Sequence, residues 1–285
     1  MSLPRDKLLN PWYIISDDPG KLLPPSSYSS CSSKVNLTNF VTRTATILAR
    51  TARSADADAQ PPPFIQLRSK LNPKLQIAVA EQIPSAERRR LLLNVSDRAL
   101  LAENVAACRE LGLGGVHLAG HVAAALAAEA TAYEGNLLQT LTGCGEEHAG
   151  DKKQEKGEEN HADSTPHRQL VIGVSCHNSK DLVQASNHLQ ANFAVLSPVL
   201  PSTSCPSHHV LGWDGFENHI RTAAAMQAGR ELLPVYALGG VGPHDLLHAV
   251  AAGGHGIAGI KCFWHDMDFD GGSCISLDIV PQQLT

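Results

Sequence analysis

The sequence predicts a (β/α)8 barrel. Eight short runs of strand length are apolar throughout, helix-period apolar patterns fill most of the gaps between them, and 285 residues suit one large domain of this kind. Strands buried on both faces lose the in–out alternation of a half-exposed sheet, and strands that alternate with helices run parallel. A doubly wound open sheet is the alternative built from the same units.

The first run is "WYIIS" (12–16). Residues 19–63 follow, rich in Ser, Pro, Thr and Ala and ending in "ADADAQPPP"; this stretch is read mainly as a surface insertion, with a helix over "VNLTNFVTRTATILARTA" (35–52) inside it. Then come "FIQL" (64–67) and "RLLLN" (90–94). In 98–111, Leu101, Val105 and Cys108 share a helical face. "GGVHL" (114–118) is the fourth run, and "AEATAYEGNLLQ" after it reads as a helix over the barrel. Residues 143–168 are charged and nearly free of large apolar side chains, so they form a second insertion that cannot offset its own chain entropy by burial. "LVIGVS" (170–175) precedes a helix with Leu182, Val183, Ser186 and Leu189 on one face. "FAVLS" (193–197) precedes one with Phe216, Ile220, Ala223 and Ala224. "LPVYAL" (233–238) precedes one with Leu246, Leu247 and Val250, and "GIAGIK" (256–261) closes the set. The expectation is one domain over 1–285 with its barrel core at 12–264.

Composition narrows the partners. A net charge of −5 with 18% charged residues gives no basic surface for nucleic acid. No apolar run is long enough to cross a membrane, and the N-terminus lacks the apolar core and cleavage site of a secretory signal. Seven cysteines without framework spacing read as reduced thiols in the cytoplasm. Nothing argues against a homo-oligomer.

In a barrel of this type the site lies where the strands end. Those ends carry Asp17; Gln66, Arg68 and Lys70; Asn94; His117; Ser175 and His177; Ser202 and Ser204; Gly239 and Gly240; and Gly259, Ile260 and Lys261. Arg68 and Lys70 make the expected ligand anionic. The stretch "ALGGVGPHDLL" (237–247) puts three glycines between a strand and a helix that opens on Pro243, a pattern suited to phosphate because N-terminal N–H groups favour anions and glycine lets the backbone approach. His117 and His121 are four apart, but the spacing begins on a strand and does not make a metal pair. "CGEEH" (144–148) lies in a polar insertion, and Cys205 has no visible activating base; neither is read as a site.

The ordered series "YIISDD", "QLRSK", "LLLN", "GVHL", "GVSCH", "SPVLPSTSC", "ALGGV" and "GIAGI" resembles the thiamine-phosphate synthase and thiazole tautomerase (TenI-type) family, across residues 12–264. No single motif is specific; eight in order are. The resemblance implies a (β/α)8 barrel of thiamine biosynthesis. By it, Gln66, Arg68, Lys70 and Asn94 fall where synthases hold the aminopyrimidine diphosphate, with Ser175 alongside. Ser202, Ser204, Gly239, Gly240, Gly259 and Ile260 fall where the thiazole phosphate is held, and His177 matches the family's acid–base histidine.

The departures are informative. Val95 and Val122 stand where synthases carry the two carboxylates for magnesium, and Cys205 replaces a diphosphate-binding lysine. Asp97 reads as an off-register substitute or as a helix N-cap. Ionising a diphosphate needs concentrated positive charge, whereas moving a proton on a thiazole needs a histidine and no cofactor. The implied function is binding of a phosphorylated thiazole or thiamine phosphate with tautomerase-like chemistry at His177, no metal and no cofactor. The alternatives are a divergent synthase, which would need Mg²⁺, and a non-catalytic thiamine-phosphate binding protein.

Overall fold

A computed structural model describes residues 9–16, 30–53, 61–69, 73–132, 169–202, 210–227 and 229–264. All eight expected strands form: β1 Trp12–Ile15, β2 Ile65–Leu67, β3 Leu91–Val95, β4 Gly115–Leu118, β5 Val171–Cys176, β6 Phe193–Leu196, β7 Val235–Ala237 and β8 Gly256–Gly259. They pair in chain order into a closed parallel barrel. The first and last strands join in the register Trp12↔Ile257 and Ile14↔Gly259, which rules out the open sheet.

Closure splits the apolar residues into two layers. Tyr13, Ile15, Leu92, Phe193, Val195, Tyr236 and Ala258 fill the interior. Their strand neighbours Trp12, Ile14, Leu91, Leu93, Val95, Val116 and Leu118 pack outward in the larger cluster shared with the helices. The period-2 geometry of a strand makes this division. It also sends Gln66, Asn94, His117 and Ser175 inward.

The helices are α1 Ser30–Arg53, α2 Lys74–Gln82, α3 Ser85–Arg88, α4 Leu101–Leu111, α5 Gly120–Ala132, α6 Ser179–Asn187, α7 Gly212–Met226, α8 Leu246–Ala251 and α9 Lys261–Trp264. Short 3₁₀ turns, Arg98–Leu100 and Pro243–Asp245, lead into α4 and α8. The helix expected over 35–52 lies inside α1. It is the barrel's own first helix, not surface decoration: Phe40, Ile47 and Leu48 are buried in the outer core. Arg90 fastens its far end. That guanidinium, itself buried, donates to the carbonyls of Leu48 (2.8 Å) and Pro63 (3.3 Å), to Glu87 (3.0 Å) and to the Thr51 hydroxyl. Burial lowers its pKa, and Glu87 works against that shift.

One edge of the expectation fails. "GIAGIK" was expected as strand to Lys261, but β8 stops at Gly259 and Lys261 opens α9, exposed. A Cβ at Gly259 would lie 2.3 Å from Cys262 Sγ, so glycine there lets α9 fold back against the strand end. Residues 143–168 lie outside the described residues.

Candidate functional site

The parallel strands bring their C-terminal ends to one rim. Among the expected site residues the described structure contains Gln66, Arg68, Asn94, Ser175, His177, Ser202, Gly239, Gly240, Gly259 and Ile260. Asp17, Lys70, Ser204 and Cys205 lie outside the described residues.

Gln66 and Asn94 are joined directly. Gln66 Nε2 donates to Asn94 Oδ1 at 2.8 Å, and the pair continues to Tyr13 Oη (3.3 Å from Gln66 Oε1), His117 Nδ1 (3.0 Å from Tyr13 Oη) and Ser175 Oγ (2.9 Å from His117 Nε2). A chain of polar side chains thus links β3, β2, β1, β4 and β5 across the interior. Burial, with the Arg68 charge adding to it, pushes the His117 pKa down to about 3, so the ring is neutral. Gly173 leaves room for it: a Cβ there would come within 2.5 Å of the Phe193 ring and 2.7 Å of His117 Nδ1.

The sequence assigns no role to Tyr13 or Gln76, and marks His117 only as a strand-end residue. Gln76 on α2 grips the Asn94 backbone, accepting its N–H at 2.6 Å and donating to its carbonyl at 3.2 Å. β2 ends at Leu67, and Gln76 takes up the Asn94 groups beyond it. The available signal was a tyrosine inside a buried strand, since a buried phenol needs a partner.

His177 sits just past β5 and is exposed. Its backbone N–H donates to Asp181 Oδ2 at 2.9 Å, and its Nδ1 lies 2.9 Å from the Ser197 carbonyl. A carbonyl only accepts, so Nδ1 carries the proton and Nε2 of the neutral ring holds a lone pair. That nitrogen stands beside Gly120, where a Cβ would be 3.4 Å from it.

The glycine turn after β7 packs on the loop after β6. Leu200 N–H donates to Gly239 O and Val199 N–H to Leu238 O, both at 2.8 Å. Gly239 and Gly240 have φ of +100° and +66°. A Cβ on Gly240 would lie 2.4 Å from Pro201 O. The turn therefore needs glycine for its own packing, whatever binds there. The helix-terminus idea also changes in detail. Gly242 N–H donates to Asp245 Oδ2 at 2.9 Å, so the turn's own carboxylate occupies that donor. The N–H groups of Gly240 and Val241 donate to no partner among the described residues. Ser202 is half-buried beyond the β6 loop, and Ile260 packs on the interior cluster.

The positions matched to magnesium ligands do not fit a cation. Val95 faces the helices, fully buried in the outer apolar layer, and Val122 is buried with it. Asp97 is exposed and accepts Ala99 N–H as the cap of the 3₁₀ turn. His121 Nε2 is tied to the Ser96 carbonyl at 3.0 Å. Among the described residues no three His, Cys, Asp or Glu side chains gather.

Residues 143–263 match the family model of thiamine monophosphate synthase. Across those residues the chain is similar to that family. The match takes in β5 to β8, and with them Ser175, His177, Ser202 and both glycine turns; Gln66, Arg68 and Asn94 lie outside it. Among curated proteins none matches. Solved structures with a similar course include thiamine phosphate pyrophosphorylase from Pyrococcus furiosus (17% identity, 90% of this chain and 87% of that one, TM-score 0.47). Another is the enzyme of the same name from Bacteroides thetaiotaomicron (14%, 93% and 89%, TM-score 0.43). A third is the flavin-binding domain of baker's yeast flavocytochrome b2 (13%, 87% and 56%, TM-score 0.45). At such identities and TM-scores no residue role passes from them to this chain.

Proposed function

We propose that this barrel binds a phosphorylated thiazole, or thiamine phosphate, at the strand C-terminal rim and moves a proton on the thiazole through His177. The observation that carries this reading is the His177–Ser197 hydrogen bond, which leaves Nε2 as the base. In the forward step Nε2 takes a proton from the ring-bound substrate. The electron pair shifts within the substrate, and the same nitrogen returns the proton at the second position. The imidazolium formed in between keeps its Nδ1–H on the Ser197 carbonyl, so no group reorganises during the transfer. The phosphate is assigned to Ser202, the 239–241 turn and the 259–260 backbone, within the stretch that the family model matches.

The test pairs two assays on the purified protein. Isomerisation of a thiazole carboxylate phosphate should proceed in the presence of a chelator, and thiazole phosphate should bind more tightly than its dephosphorylated alcohol in calorimetry. Mg²⁺-dependent joining of an aminopyrimidine diphosphate to thiazole phosphate at a comparable rate would overturn the reading in favour of a synthase. Tight binding without turnover in either assay would leave a binding protein.

A further inference from the structure

The buried chain from Asn94 to Ser175 has a direction, and the direction fixes what the mouth offers a ligand. Tyr13, Gln66, Asn94 and His117 are each at most 6% exposed, so water cannot make up a mismatched pair and every donor must meet an acceptor. Gln66 spends an N–H on Asn94 Oδ1 and therefore turns Oε1 toward Tyr13. The Tyr13 hydroxyl has one proton, and Oε1 can only accept it. Its oxygen is then the acceptor for His117 Nδ1–H. A neutral imidazole carries one proton, so His117 Nε2 is bare and accepts from the Ser175 hydroxyl.

We infer that Tyr13 and His117 are positioning residues that polarise the mouth: Ser175 Oγ, its proton spent on His117, meets a ligand as a hydrogen-bond acceptor, while Asn94, its carbonyl spent on Gln66, meets it as a donor through Nδ2. The inference rests on the proposed ligand lying at this rim, but the polarity is a property of the unliganded protein. It selects a ligand that turns an N–H or O–H toward Ser175 and a lone pair toward Asn94. The reversed chain would flip both amides, put the proton on His117 Nε2 and free the Ser175 hydroxyl to donate.

The two directions differ in a spectrum that needs no ligand. In ¹⁵N-histidine-labelled full-length protein, with His117→Gln as the assignment control, His117 should show a pyrrole-type Nδ1 and a pyridine-type Nε2. The Gln66 side-chain amide should exchange slowly. Tyr13→Phe keeps the ring and removes the oxygen, so the Nδ1–H tautomer should lose its dominance. A pyrrole-type Nε2 in the wild type, a doubly protonated ring near neutral pH, or a tautomer unmoved by Tyr13→Phe would each overturn the inference. The wild-type spectrum decides even if a variant fails to fold. A protein with the expected tautomer that binds no phosphorylated thiazole would refute the proposed function and leave the polarity standing.

Discussion

His177 Nδ1 lies 2.9 Å from the carbonyl oxygen of Ser197, a bond that spans the rim from the end of β5 to the end of β6. It holds the exposed ring by its edge and fixes which nitrogen faces outward. Orientation by a second group separates a usable base from a surface histidine.

Removing that base should therefore cost turnover and spare binding. His177→Ala is expected to lower kcat of the isomerisation roughly 100-fold or more, within the range of general acid–base catalysis, with the affinity for thiazole phosphate changed less than about threefold. Steady-state kinetics beside calorimetry checks it. An equal loss in both would make His177 a binding residue.

Restoring a carboxylate at position 95 should not restore a metal site. Val95 is buried in the outer apolar layer that also holds Leu118 and Val122, so an aspartate there would be buried among apolar groups outside the barrel interior. Val95→Asp is expected to destabilise the fold by about 3 kcal/mol or more, the usual cost of an unpaired buried charge, with no Mg²⁺ binding in calorimetry. Stoichiometric Mg²⁺ binding by a stable variant would show that the end of β3 reaches the mouth after all.

The barrel was legible because eight strands buried on both faces write themselves as unbroken apolar runs, and each of those runs became a strand. Its layers were not: the inward turn of Tyr13 and the outward turn of Val95 follow from register, which an apolar run does not encode. α1 was half-read. Its Ser- and Thr-rich sequence resembles a loop, but Thr44 and Thr51 donate to the carbonyls of Phe40 and Ile47 one turn back and so bury without penalty. At the rim, strand ends pointed to Gln66 and Asn94. That they bind each other, and that Gln76 clamps Asn94 from α2, depends on contacts far apart in the chain.

Arg90 supplies such a contact at the opposite end of the barrel. Its guanidinium meets two carbonyls, Glu87 and Thr51 while buried, and its loss leaves those acceptors without their donor. Arg90→Ala is expected to destabilise the fold by about 3 kcal/mol, with Arg90→Lys recovering only part because one ammonium cannot reach all four acceptors. Denaturant unfolding reads both. A loss under about 1 kcal/mol would mean that α1 docks by its apolar face alone.

Gly240 and Gly112 separate backbone strain from crowding. Their φ angles are nearly equal, +66° and +69°, but a Cβ on Gly240 meets Pro201 O at 2.4 Å whereas Gly112 has nothing within 4 Å. Gly112→Ala should cost about 1 kcal/mol, the left-handed penalty, and Gly240→Ala should cost clearly more, roughly 2–4 kcal/mol, as the β6 and β7 loops are forced apart. Equal losses in thermal unfolding would show that the two loops part freely, and that the glycine serves the ligand rather than the turn.

His117 makes the fold sensitive to acid. Its pKa falls to about 3 in the native barrel, first through burial and then through the charge of Arg68, against about 6.5 for a free histidine. Between those values the unfolded chain binds a proton that the native state refuses, so stability is complete above about pH 6.5 and declines as pH falls toward 3. The slope from this residue is about 1.4 kcal/mol per pH unit at most, or roughly 2 kcal/mol between pH 6.5 and 5. In His117→Gln, which keeps a polar side chain of similar reach, that part of the slope should vanish, so the variant should be the less stable protein at pH 7 and close the gap by pH 5. Urea unfolding of both proteins across this range gives the comparison, and parallel pH profiles would mean that the ring takes up its proton inside the folded barrel.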